Sequence, residues 1–235
     1  MIEKTTPKGV IFFIMKHRIL AGLFAALTLL TALSFVACGQ KAPSIDMDEV
    51  KGEINAKSVD DFVAADEKTE YVKISVTGFG SIIVRLRADI APITVANFQK
   101  LVSEKFYNGL TFHRVFPGFM IQGGDPKGNG SGSSSEKIKG EFSVNGYDNP
   151  LLHVRGVISM ARAKAYDSAS CQFFLMHADS ASLDGSYAAF GYIVAGLSVV
   201  DDICGIDLLY SSSDRANTTP KSPVVISSIS FVQPK

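Results

Sequence analysis

From Tyr71 onward the chain is written in short alternating runs, and this alternation constrains the fold more than any other feature. YVKISVTG and SIIVRLRA place apolar and polar residues in turn, rich in Val and Ile, on either side of Gly78-Phe79-Gly80. A period of two with β-branched residues marks a half-buried strand, and the glycines between predict a hairpin. Further runs of strand character follow at LTFHRV, FMIQGG, GVISMA, CQFFLM and AAFGYIV, and the chain closes on VVISSISFV. Two segments change period. Pro92 opens PITVANFQKLVSEKF, where Val95, Phe98, Leu101, Val102 and Phe106 recur at helical spacing, with Asp89 as a cap and Asn108-Gly109 as the stop. SVVDDIC reads as a second, brief helix. Many short strands and two helices predict a mainly β domain closed as an antiparallel barrel, because the last apolar strand would otherwise present an edge that no charges guard. No internal repeat is evident.

The 235 residues, 46% of them hydrophobic, suffice for one sizeable domain, read as residues 71–235. Ahead of it, residues 38–70 are polar and acidic, with Asp46, Asp48, Glu49, Asp60, Asp61, Asp66 and Glu67 and few large apolar side chains. They read as a flexible tether, with some helix around residues 59–65. Residues 1–37 have a different character. Ile19 to Ala37 is an uncharged apolar stretch behind Lys16 and Arg18, the layout of a secretory signal, and it is also long enough to span a bilayer. Val36-Ala37-Cys38-Gly39 resembles a bacterial lipoprotein box, in which the cysteine is acylated and becomes the new N-terminus, although Phe35 stands where leucine is usual. A lipid such as palmitate on Cys38 would hold the protein on the cell membrane or outer membrane, facing away from the cytoplasm. An uncleaved membrane anchor is the alternative. Met15, followed directly by Lys16-His17-Arg18, is a second candidate start.

The chain has 23 basic and 23 acidic side chains; residues 1–37 hold four and one of them, which leaves 19 and 22 downstream. That mildly acidic remainder has no Lys/Arg run, so the charge pattern argues against nucleic acid as a partner and leaves peptides or proteins. Cys171 and Cys204 are read as small buried hydrophobes, with a disulfide as the alternative.

The densest motif is Phe112-His113-Arg114-Val115-Phe116-Pro117-Gly118-Phe119-Met120-Ile121-Gln122-Gly123-Gly124-Asp125. It resembles the central signature of the cyclophilin family. Ser159-Met160-Ala161-Arg162-Ala163 with Ser170-Cys171-Gln172-Phe173-Phe174, and Leu183-Asp184-Gly185 with Phe190-Gly191, resemble its second and third active-site blocks. The resemblance runs from Tyr71 to Val232 and implies an eight-stranded barrel capped by two helices, with a proline-binding groove on its outer face. It also implies peptidyl-prolyl cis/trans isomerisation of proline-containing polypeptides, with no cofactor; separately, the chain is expected to be a monomer. Residue by residue, the match carries catalytic duty to Arg114 and proline-pocket duty to Phe119, Met120, Phe174 and Leu183. It gives peptide-backbone contacts to Gln122 and Gln172, a groove lining to Ala161, Arg162 and Ala163, and a place in the substrate site to Tyr187.

The reaction explains these residue types. Turning an X–Pro bond breaks amide resonance against a barrier of ~18–20 kcal/mol. In the twisted state the prolyl nitrogen regains a lone pair, so a donor placed there bonds the transition state and not the planar ground state. A guanidinium, always charged and rich in rigid donors, suits that task. A tethered module that binds proline peptides without turnover is the competing function, and the presence of Arg114 argues for the enzyme. Phe112, Val115, Phe116, Ile121 and Phe173 read as core rather than site. His113 could serve as a base or a metal ligand, but His17, His153 and His177 supply no ligand spacing, so no metal is expected. The stretch GGDPKGNGSGSSS lacks the strand and helix of a phosphate loop and reads as a surface loop. The family often has tryptophan where Ser182 stands, histidine at Tyr187 and asparagine at Arg162; by resemblance, cyclosporin binding is weak.

Overall fold

The computed structural model describes residues 44–210 and 217–235. The leader, Cys38 and the choice of start all lie outside the described residues. Nine strands make one antiparallel sheet: β1 (Phe62–Ala64), β2 (Tyr71–Val76), β3 (Gly80–Leu86), β4 (Thr111–Phe116), β5 (Met120–Asp125), β6 (Val157–Met160), β7 (Phe173–Met176), β8 (Ala189–Ala195) and β9 (Ile226–Pro234). Their order is β1-β9-β2-β3-β8-β6-β7-β5-β4. Among the described residues there are three α-helices, α1 (Met47–Glu53), α2 (Pro92–Ser103) and α3 (Leu197–Cys204).

The expectation of eight strands closed into a barrel is corrected on both counts. β1 and β4 stand at opposite ends of the sheet, and no ladder joins them. The outer edge of β4 is served instead by the irregular chain before β9. Phe112 N–H donates to the Val224 carbonyl at 2.9 Å and Val115 N–H to Thr218 at 2.7 Å, with one isolated bridge at Thr111–Val225. The edge that seemed to demand closure thus finds hydrogen-bond partners without a strand, which satisfies the same requirement.

Alternation divides each strand between two faces. Val72, Ile74, Ile82, Val84, Phe112, Ile121, Phe173, Leu175 and Phe190 fill the main core together with α2 and α3. Their neighbours Ile83, Met120, Phe174, Met176, Tyr192 and Val194 point the other way, into a second apolar cluster. Phe116, expected in the core, belongs to that second cluster and packs edge-on against Phe119 at 5.6 Å. The bulge between Phe112 and Arg114 shifts the register there, so counting residues by twos from Phe112 assigns the wrong faces.

α2 forms where its apolar period predicts, but its N-terminus is not capped by Asp89, whose carboxylate pairs with Arg87 at 2.7 Å. The first amides are satisfied from a distance: the buried Glu141 carboxylate accepts from Ile93 N–H at 3.0 Å and Thr94 N–H at 2.8 Å.

The second correction concerns residues 44–70. Instead of a flexible tether, they carry α1 and β1 and belong to the same compact unit as the rest of the sheet. Val50 is 2% exposed and Phe62 8%, both in the second cluster. Asn55 and Lys57 N–H donate to the carbonyls of Ile193 and Val194, and Glu53 meets Arg85 at 2.9 Å. The helix expected around residues 59–65 is a single 3-10 turn, Val59–Asp61, running into β1. Composition suggested a solvated segment because a few apolar side chains, Ile45, Met47, Val50, Ile54, Val59 and Phe62, seat it on an apolar face that already exists. Cys171 and Cys204 are both free and buried.

Candidate active site

The exposed part of the second apolar cluster is a cavity of about 180 Å³ lined by Arg114, Phe119, Met120, Gln122, Ala161, Arg162, Phe174, Leu183 and Tyr187. Three strands set its floor. Antiparallel register places Arg114 opposite Gln122, Gln122 opposite Phe174, and Met120 opposite Met176. Side chains directly across a ladder share a face, so these pairings bring the guanidinium, the amide and two apolar groups together from segments up to 60 residues apart. Met120 and Phe174 are 2% and 5% exposed, although they wall an open cavity. Leu183, on a 3-10 turn at Ala181–Leu183, and Tyr187, whose ring lies edge-on to Phe174 at 5.9 Å, close the far side.

Arg114 donates to no carbonyl or carboxylate among the described residues; its guanidinium lies 6.0 Å from the Phe116 ring centroid. Its donors therefore face the cavity uncommitted. Gln122 is oriented by its amide, which donates to the Gln172 side-chain oxygen at 2.8 Å. Gln172 in turn donates to the carbonyls of Gly130 (3.1 Å) and Gly132 (2.8 Å), which ties down the 130–132 loop. Gln172 and Ala163 do not line the first cavity. They line an adjoining one of about 290 Å³ that shares Gln122, Ala161 and Arg162 with it. Of the site residues named from sequence, Arg114 and eight others thus meet at one cavity and two at its neighbour, while Cys38 is outside the described residues.

Sequence reasoning missed what stands behind these walls. His153, 1% exposed, stacks on the underside of Phe174 with centroids 6.0 Å apart. Its Nδ1 lies 2.9 Å from Asp184 Oδ1 and its Nε2 3.0 Å from Ser159 Oγ. Burial pushes its pKa down, partly opposed by Asp184. His113, next to Arg114, has both ring nitrogens buried without a partner, and burial lowers its pKa as well. A neutral imidazole is the form such surroundings favour. Arg162 is held among the rings of Phe142, Tyr166 and Tyr187, 5.1, 5.2 and 4.6 Å from their centroids. No sequence spacing links those three aromatics.

A slot walled in part by Phe119, Met120, Phe174 and Leu183, beside one uncommitted guanidinium and an oriented amide and with no nucleophile in it, is suited to gripping a five-membered ring and donating a hydrogen bond to it. Covalent chemistry has no foothold there. Comparison with known proteins agrees. Residues 71–231 match the sequence profile of the family described as cyclophilin type peptidyl-prolyl cis-trans isomerase/CLD. A peptidyl-prolyl cis-trans isomerase of Helicobacter pylori is 45% identical over 146 residues, covering 61% of this chain and 86% of that protein. Peptidyl-prolyl cis-trans isomerase A of Dickeya dadantii is 39% identical over 162 residues, 67% of this chain and 82% of its own. Among solved structures, a cyclophilin type isomerase of Cryptosporidium parvum, crystallised in the presence of the dipeptide Ala-Pro, superposes with a TM-score of 0.60 at 26% identity, covering 68% of this chain and 98% of its own. The chain belongs to the cyclophilin type peptidyl-prolyl cis-trans isomerases and is an enzyme of that activity.

Proposed function

We propose that this isomerase acts on exported polypeptides from a lipid anchor at Cys38, and that Arg114 is its catalytic residue. The observation that carries the catalytic reading is the uncommitted guanidinium at the rim of a cavity walled in part by Phe119, Met120, Phe174 and Leu183. The proline ring of the substrate occupies the space between Phe119, Met120, Phe174 and Leu183. Gln122 and the groove around Ala161 and Arg162 hold the flanking backbone, and Arg114 donates to the prolyl nitrogen as it becomes pyramidal. Crystallisation of the Cryptosporidium parvum isomerase in the presence of the dipeptide Ala-Pro supports a proline-containing ligand.

Magnitudes divide the labour. A ~10⁵-fold acceleration requires about 7 kcal/mol, and one charge-assisted hydrogen bond supplies ~1.5–3. The remainder falls to the apolar walls, which receive the twisted amide more readily than the planar one, whose larger dipole prefers water. Leader and box, Ile19–Ala37 followed by Cys38-Gly39, support export and anchoring.

Labelling of cells with radioactive palmitate tests the anchor. Wild type should carry label and recover its isomerase activity in the membrane fraction, whereas Cys38→Ser should lose the label and be deficient in that fraction. Absence of label from wild type would remove the lipid from this account.

A further inference from the structure

The cavity beside the proline pocket is polar and carries positive charge. Its walls include Ser131, Ser133, Ser168, Lys137 and Arg162, and among the described residues no carboxylate lines either cavity. Arg162 stands at the junction of the two. Its Nε and Nη2 donate to the Ser186 carbonyl at 3.0 and 2.8 Å, its Nη1 donates to the Ala163 carbonyl at 3.0 Å, and three aromatic faces enclose it. All these partners are neutral. They fix the guanidinium in place and leave its charge uncancelled. Lys137 is exposed and forms no ion pair among the described residues, while the nearby Lys100 is matched by Glu136 at 2.7 Å. Arg114 adds a third unpaired cation on the other side of the proline pocket.

The carboxylates on the surrounding loops keep their charge, since their donors are neutral, but none of them lines either cavity. Asp125 accepts from the N–H groups of Lys127, Asn129 and Gly130, Asp167 from Gly140 N–H and Asn145, and Asp184 from His153 N–H. A cationic groove thus lies on a chain whose acidic side chains outnumber its basic ones beyond residue 37, so it is a local feature and not the spill of a basic protein.

We infer that this groove selects substrates carrying Asp or Glu within three residues of the target proline, the acidic side chain lying in the second cavity near Lys137 and Arg162. The inference rests on the isomerase reading of the proline pocket. An extended peptide advances about 3.3 Å per residue, so a cavity sharing three wall residues with the proline pocket is reached by a side chain this close in sequence. Arg162 is fully occupied and acts through its field; Lys137 is free to approach the carboxylate. Charges several ångströms apart in a half-solvated groove should change kcat/KM by about three- to tenfold, an effect that salt screens.

The test uses the full chain in mild detergent and a set of alanine-based peptides with one proline. Glu, Gln or Lys is placed singly at each of the three positions before and after it, and cis/trans exchange is measured by NMR at low ionic strength and at about 1 M salt. At one position at least, Glu should exceed Lys by about three- to tenfold at low salt, with Gln between them, and the ratio should approach one at high salt. Lys137→Gln should cut the Glu-to-Lys ratio at least about twofold; Arg162→Gln should do so as well, and Arg162→Lys should retain more of it. Because Arg162 is packed among rings, Lys137→Gln, at an exposed position, keeps the test open if Arg162→Gln does not fold. Equal rates for Glu, Gln and Lys peptides at every position, or a ratio indifferent to both salt and Lys137→Gln, would overturn the inference while the all-alanine peptide still turns over. Failure of the all-alanine peptide to turn over would instead contradict the isomerase reading beneath it.

Discussion

The outer face of the sheet is apolar in two regions, and the two are finished in different ways. One, around Ile83, Tyr192, Val194 and Val232, is covered by the chain's own residues 44–64, with Val50 and Phe62 seated on it and Glu53 paired to Arg85. The other, around Met120 and Phe174, is left as a cavity with an uncommitted Arg114 at its rim. Both belong to the same buried cluster. The difference teaches that apolar surface alone does not make a site. Where a local segment supplies matching apolar side chains and paired charges, the face becomes core; where it supplies only rim residues, a ligand can complete it.

Phe174 should mark the open region most strongly. Phe174→Ala removes a nearly buried ring that packs against His153 and Tyr187, so unfolding in denaturant should show a loss of about 3–5 kcal/mol together with a collapse of kcat/KM. Phe62→Ala, in the covered region, should cost about 2–4 kcal/mol and leave kcat/KM of the folded enzyme within about twofold of wild type. A parallel loss of kcat/KM would show that the cover and the site are one unit, and the comparison would break.

A smaller effect sharpens it through pH. His153 and His113 have pKa values lowered chiefly by burial. A histidine whose folded pKa is depressed contributes stability that is present above its unfolded value, about 6.5, and lost as pH falls below it. Denaturation midpoints should therefore decline with acidification from about pH 7, and His153→Gln should flatten the slope. The smallest change is expected at Glu53. Burial alone would raise its pKa, but hydrogen bonds from Tyr192 and Arg85 more than offset this and leave it lowered, so its stabilisation is present above the ordinary glutamate range and lost below it. The Glu53–Arg85 pair is substantially solvated, and Glu53→Gln should cost only about 0.5 kcal/mol at neutral pH, with no change in turnover.

Elements with a clean local period were legible in the sequence. β2, whose residues alternate in burial from Tyr71 to Val76, and α2, opened by Pro92, formed where their spacing placed them. Arg114, Gln122 and Phe174 come together because strand register fixes their positions once the strands are found. What escaped depends on partners distant in sequence. Glu141 caps a helix that begins about 50 residues earlier, β1 is three residues long and exists only against β9, and Arg162 is held by Phe142, Tyr166 and Tyr187 from three separate loops. Composition misread residues 44–70 because six apolar side chains suffice where a prepared face awaits them.

Arg114 is proposed to act in the transition state and not in binding, and kinetics separates the two. In the full chain, Arg114→Ala and Arg114→Lys should be compared with wild type for cis/trans exchange of a single-proline peptide and for its dissociation constant. Arg114→Ala should lose about 10- to 150-fold in kcat, the worth of one charge-assisted hydrogen bond, while the dissociation constant moves less than about threefold. Arg114→Lys should fall between the two in kcat, since it keeps the charge and loses the planar donor. A variant Arg114→Ala that retained wild-type kcat, or lost affinity in step with rate, would contradict that role.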